Sequence, residues 1–195
     1  MVWGLVSKSN SGKKYHCPSQ KPIVLVGLMG AGKTSIGRKL AERMQVSFVD
    51  ADHEIEKAAG CTITEFFEKF GEKEFRRGEK RVIERLLKSW PCVLATGGGA
   101  FMDPETRAMI KNTAISIWLN ADLDTLDDRL ARRSGRPLLQ TKNPRATLQS
   151  LMERRYPIYA EADMTVDTIN GSIDVTVDKV CASLTNYFSL KYEQK

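Results

Sequence analysis

The sequence predicts an α/β protein, a parallel sheet of five strands with helices on both faces. The first observation behind this is a set of short runs of strand character: Ile23–Val26, Ser47–Asp50, Cys92–Ala95, residues 114–119 and Met164–Asp167. As a set they are too apolar for half-exposed strands. The second is that these runs alternate with segments of helical period, the pattern of a sheet wound with crossover helices. The third is that helix start signals fall between the runs.

In chain order, the first strand leads through a glycine-rich loop into a helix whose Ile36, Leu40, Ala41 and Met44 share one side. After the second strand, Thr62-Ile-Thr-Glu65 is a capping box. Asp103-Pro104 and Asn143-Pro144 each place a cap before a proline at the first helical position, and Asp122 can cap a segment running through Arg132. The last helix begins near Ile173 and carries Val177, Val180, Cys181, Leu184 and Phe188 at helical spacing, a core-packing stripe.

At 195 residues the chain suits one domain with a proper core. Residues 1–20, rich in Ser, Lys and Gly without apolar period, are expected to form a flexible extension, leaving 21–195 as the single domain. The formal charge of +6 divides between Lys8, Lys13 and Lys14 in that extension and a pocket for small anions, because elsewhere acids and bases interleave. Nucleic acid is therefore not an expected partner. Cys17, Cys61, Cys92 and Cys181 form no Cys-x-x-Cys pair, which argues against a zinc or redox site and fits a reducing compartment. The opening run Met1–Val6 is too short for a signal peptide, and no later stretch is long and apolar enough to span a bilayer. The expected location is the cytoplasm, with no membrane partner.

Gly27-Leu-Met-Gly-Ala-Gly-Lys33-Thr34, set between a strand and an amphipathic helix, is a phosphate-binding loop in its proper context. Glycines let successive backbone N–H groups turn toward an anion, and the helix adds its positive end. Gly30, Ala31, Gly32, Lys33, Thr34 and Ser35 are the expected contacts of a nucleoside triphosphate. Lys33 can reach the β- and γ-phosphates, and Thr34 can coordinate Mg²⁺.

A phosphate loop does not name the acceptor, which must be read from polar residues at the carboxyl ends of the strands. Asp50-Ala-Asp52 ends the second strand, and strand alternation would aim both carboxylates at the sheet's upper edge. Asp50 can hold Mg²⁺ through water, and Asp52 can orient or deprotonate an attacking hydroxyl. The alternative is that both only cap a helix beginning near His53. Arg76, with Glu79 on the same helical side to steady it, and the distant Arg155 offer planar forks for a carboxylate or phosphate. Taken singly, such arginines are more often solvated surface residues. Gly97-Gly98-Gly99, directly after the third strand, lets a ligand approach the backbone closely and offers N–H groups to an anion.

Taken together, the phosphate loop, Asp50-Ala-Asp52, Gly71-Glu72 with Phe75-Arg76-Arg77 and Glu79, Gly97–Gly99, Arg133 through Arg136-Pro-Leu-Leu139, and Arg155 with Tyr159 resemble the shikimate kinase family in order and spacing, over residues 22–190. The resemblance implies a three-layer P-loop kinase fold, of the nucleoside-monophosphate-kinase type, with strand order 2-3-1-4-5 and a short lid. It implies transfer of the γ-phosphoryl of ATP to the 3-hydroxyl of shikimate, the fifth step toward chorismate and the aromatic amino acids. The residue matching Asp52 then binds the shikimate hydroxyls, those matching Arg76 and Arg155 hold its carboxylate, and that matching Gly98 contacts it through the backbone.

The segment 132–143 resembles the family's lid, with Arg136 reaching the phosphates and Arg133 stacking on adenine opposite residues 168–171. An arginine in the phosphate role is worth ~10³–10⁵ in rate. Residues 51–88 are the expected acceptor-binding segment, and a monomer is expected. A gluconate-type kinase is the nearest rival, with some support from Asp50-Ala-Asp52-His53, but the triple glycine and Phe75-Arg76 speak against it. A nucleoside monophosphate kinase would need a nucleobase pocket in place of acids suited to a polyol. A non-catalytic ATP-binding module would have no reason to keep Lys33, Thr34, Asp52, Arg76, Arg136 and Arg155 together.

Overall fold

The computed structural model describes residues 21–89, 92–131, 143–168 and 171–193. Residues 1–20, where an extension is expected, and most of the expected lid lie outside the described residues. Five strands, β1 (Ile23–Val26), β2 (Ser47–Asp50), β3 (Cys92–Ala95), β4 (Ile115–Asn120) and β5 (Met164–Asp167), form one wholly parallel sheet in the order β2-β3-β1-β4-β5. Alternation along β1 decides the layers. Leu25 meets α1 (Lys33–Met44) on one face, while Trp118, in register with Val26, meets Tyr156 and Tyr159 of α6 (Pro144–Tyr159) on the other.

On the first face α1 lies against β1, β2 and β3 and pairs with α7 (Ile173–Glu193), whose predicted stripe from Val177 to Phe188 is buried. Gly37 sets how closely α1 approaches the sheet, since a Cβ there would come within 2.6 Å of the Phe48 ring. Arg43 pins α1 to α7 through Asp178 and, at 3.3 Å, Asp174. The second face carries α3 (Ile63–Leu87), α4 (Pro104–Thr113) and α6, with α2 (Ala51–Ala59) against α3 and α5 (Leu123–Ala131) against α6.

The start signals work as read. Thr62 and Glu65 make both halves of the capping box, and Asp103, Asp122 and Asn143 each accept from the backbone N–H three residues on. The start signals do not predict the break in α3. Gly71 sits there at φ 77° and ψ 172°, a conformation that essentially only glycine adopts, and splits α3 into two helical pieces. Among the described residues no helix is long and apolar enough to cross a membrane.

Candidate active site

The carboxyl ends of β1, β3 and β2 lie side by side, so the segments that follow them share one edge of the sheet. After β1 the loop turns into α1 through Gly32, whose φ of 93° is left-handed and spares a side chain the usual penalty. No side chain caps α1 and no acid stands in its first turn. Asp50, Thr62, Asp103 and Asn143, by contrast, cap α2, α3, α4 and α6. The N–H groups in the first turn of α1 therefore meet no capping side chain and suit an anion, helped by the helix dipole. Lys33 folds over the loop and donates to the carbonyls of Gly27 at 2.7 Å and Leu28 at 2.9 Å.

Asp50 and Asp52 divide differently from the strand reading. The helix begins at Ala51, earlier than expected, so Asp52 lies in its first turn and helical rotation, not strand alternation, sets its direction. Asp50 caps α2 with Oδ1, 3.1 Å from the N–H of Asp52, and accepts the Thr34 hydroxyl on Oδ2 at 2.8 Å. The capping alternative thus holds for Asp50 alone. Asp52 instead faces the loop after β3, where its Oδ1 would lie 2.7 Å from a Cβ on Gly97.

The three glycines of that loop face charged side chains. A Cβ on Gly97 would also meet Glu79 Oε1 at 3.0 Å, one on Gly98 would meet Arg155 Nη1 at 3.5 Å, and one on Gly99 would meet both terminal nitrogens of Arg76 at 2.5 Å. Gly98 lies as close to the phosphate loop, 3.6 Å from the Gly27 carbonyl oxygen by the same measure. Asp52, Arg76 and Arg155 are thereby brought together beside Lys33, although they come from α2, α3 and α6.

Arg76 donates to Glu79 at 2.6 Å and to the exposed Glu72 at 3.3 Å. Burial works against the guanidinium's charge, but Glu79 and Glu72 outweigh it and hold the pKa above its ordinary value. On Glu79, almost fully buried, the balance goes the other way: burial raises the pKa, Arg76 opposes the rise, and the nearby Asp52 and Asp103 add to it. Arg155 donates to the Gly98 carbonyl at 3.0 Å and Tyr159 donates to the same oxygen at 2.5 Å. Phe67 stacks on the buried Phe75 at 4.4 Å, and the Arg76 guanidinium lies 5.2 Å from the Phe75 ring centre.

Arg133 and Arg136, the expected adenine and phosphate arginines, lie outside the described residues. The structure instead brings in Arg129 of α5, which the sequence reading passed over. Its Nη1 donates to the carbonyls of Gly30 at 3.3 Å and Ala31 at 3.4 Å and to the Thr168 hydroxyl at 3.3 Å. It lines a cavity of about 280 Å³ between Gly30, Gly32 and Ser35 of the phosphate loop and Ile173 and Thr176 of α7. Arg129 is the lone basic residue of α5, beside Leu126 and Leu130, which pack on Gly30. That was the signal available in the sequence.

Comparisons with known proteins identify the family and bear out the fold. The sequence model of a family described as Shikimate kinase matches residues 29–185. The shikimate kinase of Paramagnetospirillum magneticum is 52% identical over 171 residues, 88% of each chain. The structure of the Acinetobacter baumannii shikimate kinase in complex with shikimate superposes with a TM-score of 0.81 at 40% identity, over 86% of this chain and 95% of that one. A gluconokinase from Sinorhizobium meliloti shares the fold at a TM-score of 0.63 but only 19% identity, over 92% of this chain and 99% of its own. With a family match over most of its length and a relative identical at half its positions, the chain belongs to the shikimate kinase family.

Proposed function

We propose that this chain transfers the γ-phosphoryl group of ATP to the 3-hydroxyl of shikimate, giving shikimate 3-phosphate and ADP on the way to chorismate. The observation that carries the reading is the convergence of Asp52, Arg76 and Arg155 on Gly97–Gly99, in contact with the phosphate loop at Gly27. An acceptor with a carboxylate at one end and hydroxyls at the other matches two arginines facing one aspartate.

Phosphoryl transfer asks the protein mainly for position and charge neutralisation. The N–H groups at the start of α1 and the Lys33 ammonium take the phosphates, Lys33 exchanging the Gly27 and Leu28 carbonyls for phosphate oxygens. Arg129 and Ile173 flank the base in the adjoining cavity. Arg76 and Arg155 grip the acceptor carboxylate, and Asp52 accepts the hydroxyl proton on its carboxylate as the oxygen attacks phosphorus. Fixing both reactants in line supplies roughly 7–11 kcal/mol of the barrier. Residues 51–88 serve as the acceptor-binding segment, and the lid, about 132–143, brings Arg136 to the transferring group and excludes water.

Mg²⁺ fits the donors present. Thr34 and Asp50 place two hard oxygens 2.8 Å apart beside the phosphate loop, and Mg²⁺ is typically held by one or two protein oxygens with waters and substrate phosphates. Thr34 would bind it directly and Asp50 through water; when bound, it neutralises phosphate charge. On this reading the chain works as a cytoplasmic monomer on a small molecule, without nucleic acid or membrane.

The test is ADP release from ATP and Mg²⁺ with shikimate, quinate, gluconate or AMP, using Lys33→Ala as the blank. Shikimate-dependent turnover that the variant lacks is the expected result. Turnover with gluconate or AMP alone would overturn the acceptor assignment.

A further inference from the structure

The hydroxyl of Tyr159 is buried at the acceptor site, yet the phosphoryl transfer described above gives it no part. Its ring is fully buried and packs near Phe101, 6.5 Å away at 27°, and Trp118, 6.1 Å away at 32°. Held in this cluster, the ring delivers its hydroxyl to the Gly98 carbonyl at 2.5 Å. Arg155, one helical turn earlier on α6 and so on the same side, donates to that same oxygen at 3.0 Å.

We infer that Tyr159 is a positioning residue for the acceptor: its hydroxyl fixes the Gly98 carbonyl and leaves the Arg155 guanidinium poised to grip the substrate's anionic group. The inference rests on the proposed reading of the acceptor pocket and adds to it the device that sets one of its arginines. A carbonyl oxygen has two lone pairs, and a buried one left half-satisfied attracts whatever donor is near. With Tyr159 on one lone pair, Arg155 is a partner the carbonyl can share. Without it, Arg155 becomes the carbonyl's main donor, and of the two side chains that tie the loop Gly97–Gly99 to α6 the longer and more flexible one is left to hold it.

Burial raises the Tyr159 pKa to about 12 against the opposing pull of Arg155 and Arg76, so the hydroxyl remains a donor throughout the assay range. Tyr156 supplies an internal control. It lies one turn from Tyr159 on the same helix and donates its hydroxyl to a backbone carbonyl as well, but to that of Ala121, away from Gly98.

The experiment compares steady-state KM values for shikimate and ATP, with Tm, in wild type, Tyr159→Phe and Tyr156→Phe. Tyr159→Phe keeps the ring and its packing, so it is expected to fold, with the shikimate KM raised about tenfold and the ATP KM within twofold. Tyr156→Phe is expected to leave the shikimate KM within twofold. An unchanged shikimate KM in Tyr159→Phe, or equal rises in both variants, overturns the positioning role while the pocket assignment stands. A wild-type chain with no shikimate-dependent turnover overturns both together. Should Tyr159→Phe melt below the assay temperature, the KM values of all three proteins are compared at a temperature below its Tm, which gives the same split. A rise in the shikimate KM alone then supports the role, and no rise overturns it.

Discussion

The guanidinium of Arg76 fills the space that Gly99 leaves by having no side chain. A Cβ on Gly99 would stand 2.5 Å from both terminal nitrogens. Gly99 has φ −96° and ψ −19°, which any residue adopts, so the requirement for glycine is steric and local. Gly99→Ala should therefore fold normally and displace Arg76. The expected outcome is a shikimate KM raised roughly tenfold or more, the worth of one charge-assisted hydrogen bond, with the ATP KM and Tm little changed. A variant with wild-type shikimate KM would show that Arg76 need not lie against the loop.

Removing the arginines themselves makes the complementary case. Arg76→Ala and Arg155→Ala should each raise the shikimate KM by roughly 10–100-fold and leave the ATP KM within a few-fold, since neither touches the phosphate loop through a hydrogen bond. Initial-rate measurements with each substrate varied in turn would decide. Equal rises in both KM values count against the assignment.

What the sequence made legible follows from how local each signal is. The strand runs, the caps at Thr62, Asp103, Asp122 and Asn143, and the loop from Gly27 to Thr34 are written in neighbouring residues, and all appear in the structure. The Arg76–Glu79 pair was legible from helical spacing for the same reason. Gly97–Gly99 was recognised as a place of close approach. That the approaching groups are the protein's own Asp52, Glu79, Arg76 and Arg155 depends on contacts between distant segments, which spacing does not encode. The Asp52 direction was misread because β2 ends one residue before a helix begins, and a two-residue period was carried across that boundary. Arg129 is marked in the sequence only as the lone base of α5, and that α5 lies over the phosphate loop is a contact between distant segments.

Gly78 stands in helical conformation inside α3 with open space where a side chain would go. Glycine costs a helix interior about 0.5–1 kcal/mol relative to alanine through chain entropy. Gly78→Ala should stabilise the protein by about that amount and raise Tm by roughly 1–4 °C in a thermal melt. Gly71→Ala should do the reverse, because its φ of 77° is forbidding to alanine even though no atom obstructs a Cβ there. A loss of stability in Gly78→Ala would mean that the flexibility of this helix is required.

Glu79 predicts a pH dependence with a definite sign. Burial raises its pKa above the ordinary 4.5, with Arg76 opposing the rise. A carboxyl group that ionises less readily folded than unfolded binds more protons in the folded state, so its contribution favours folding below that value and is lost as pH rises through the raised one. Glu79→Gln cannot ionise and lacks this term. The stability difference, wild type minus Glu79→Gln, should therefore fall as pH rises from about 4.5 and level off once Glu79 is ionised in both states. Chemical denaturation of both proteins at intervals across this range measures it. Parallel stability curves would show that Arg76 cancels the cost of burying the charge. At neutral pH the same variant should also raise the shikimate KM, because the acceptor that holds Arg76 Nη1 at 2.6 Å becomes a neutral amide oxygen and the bond weakens.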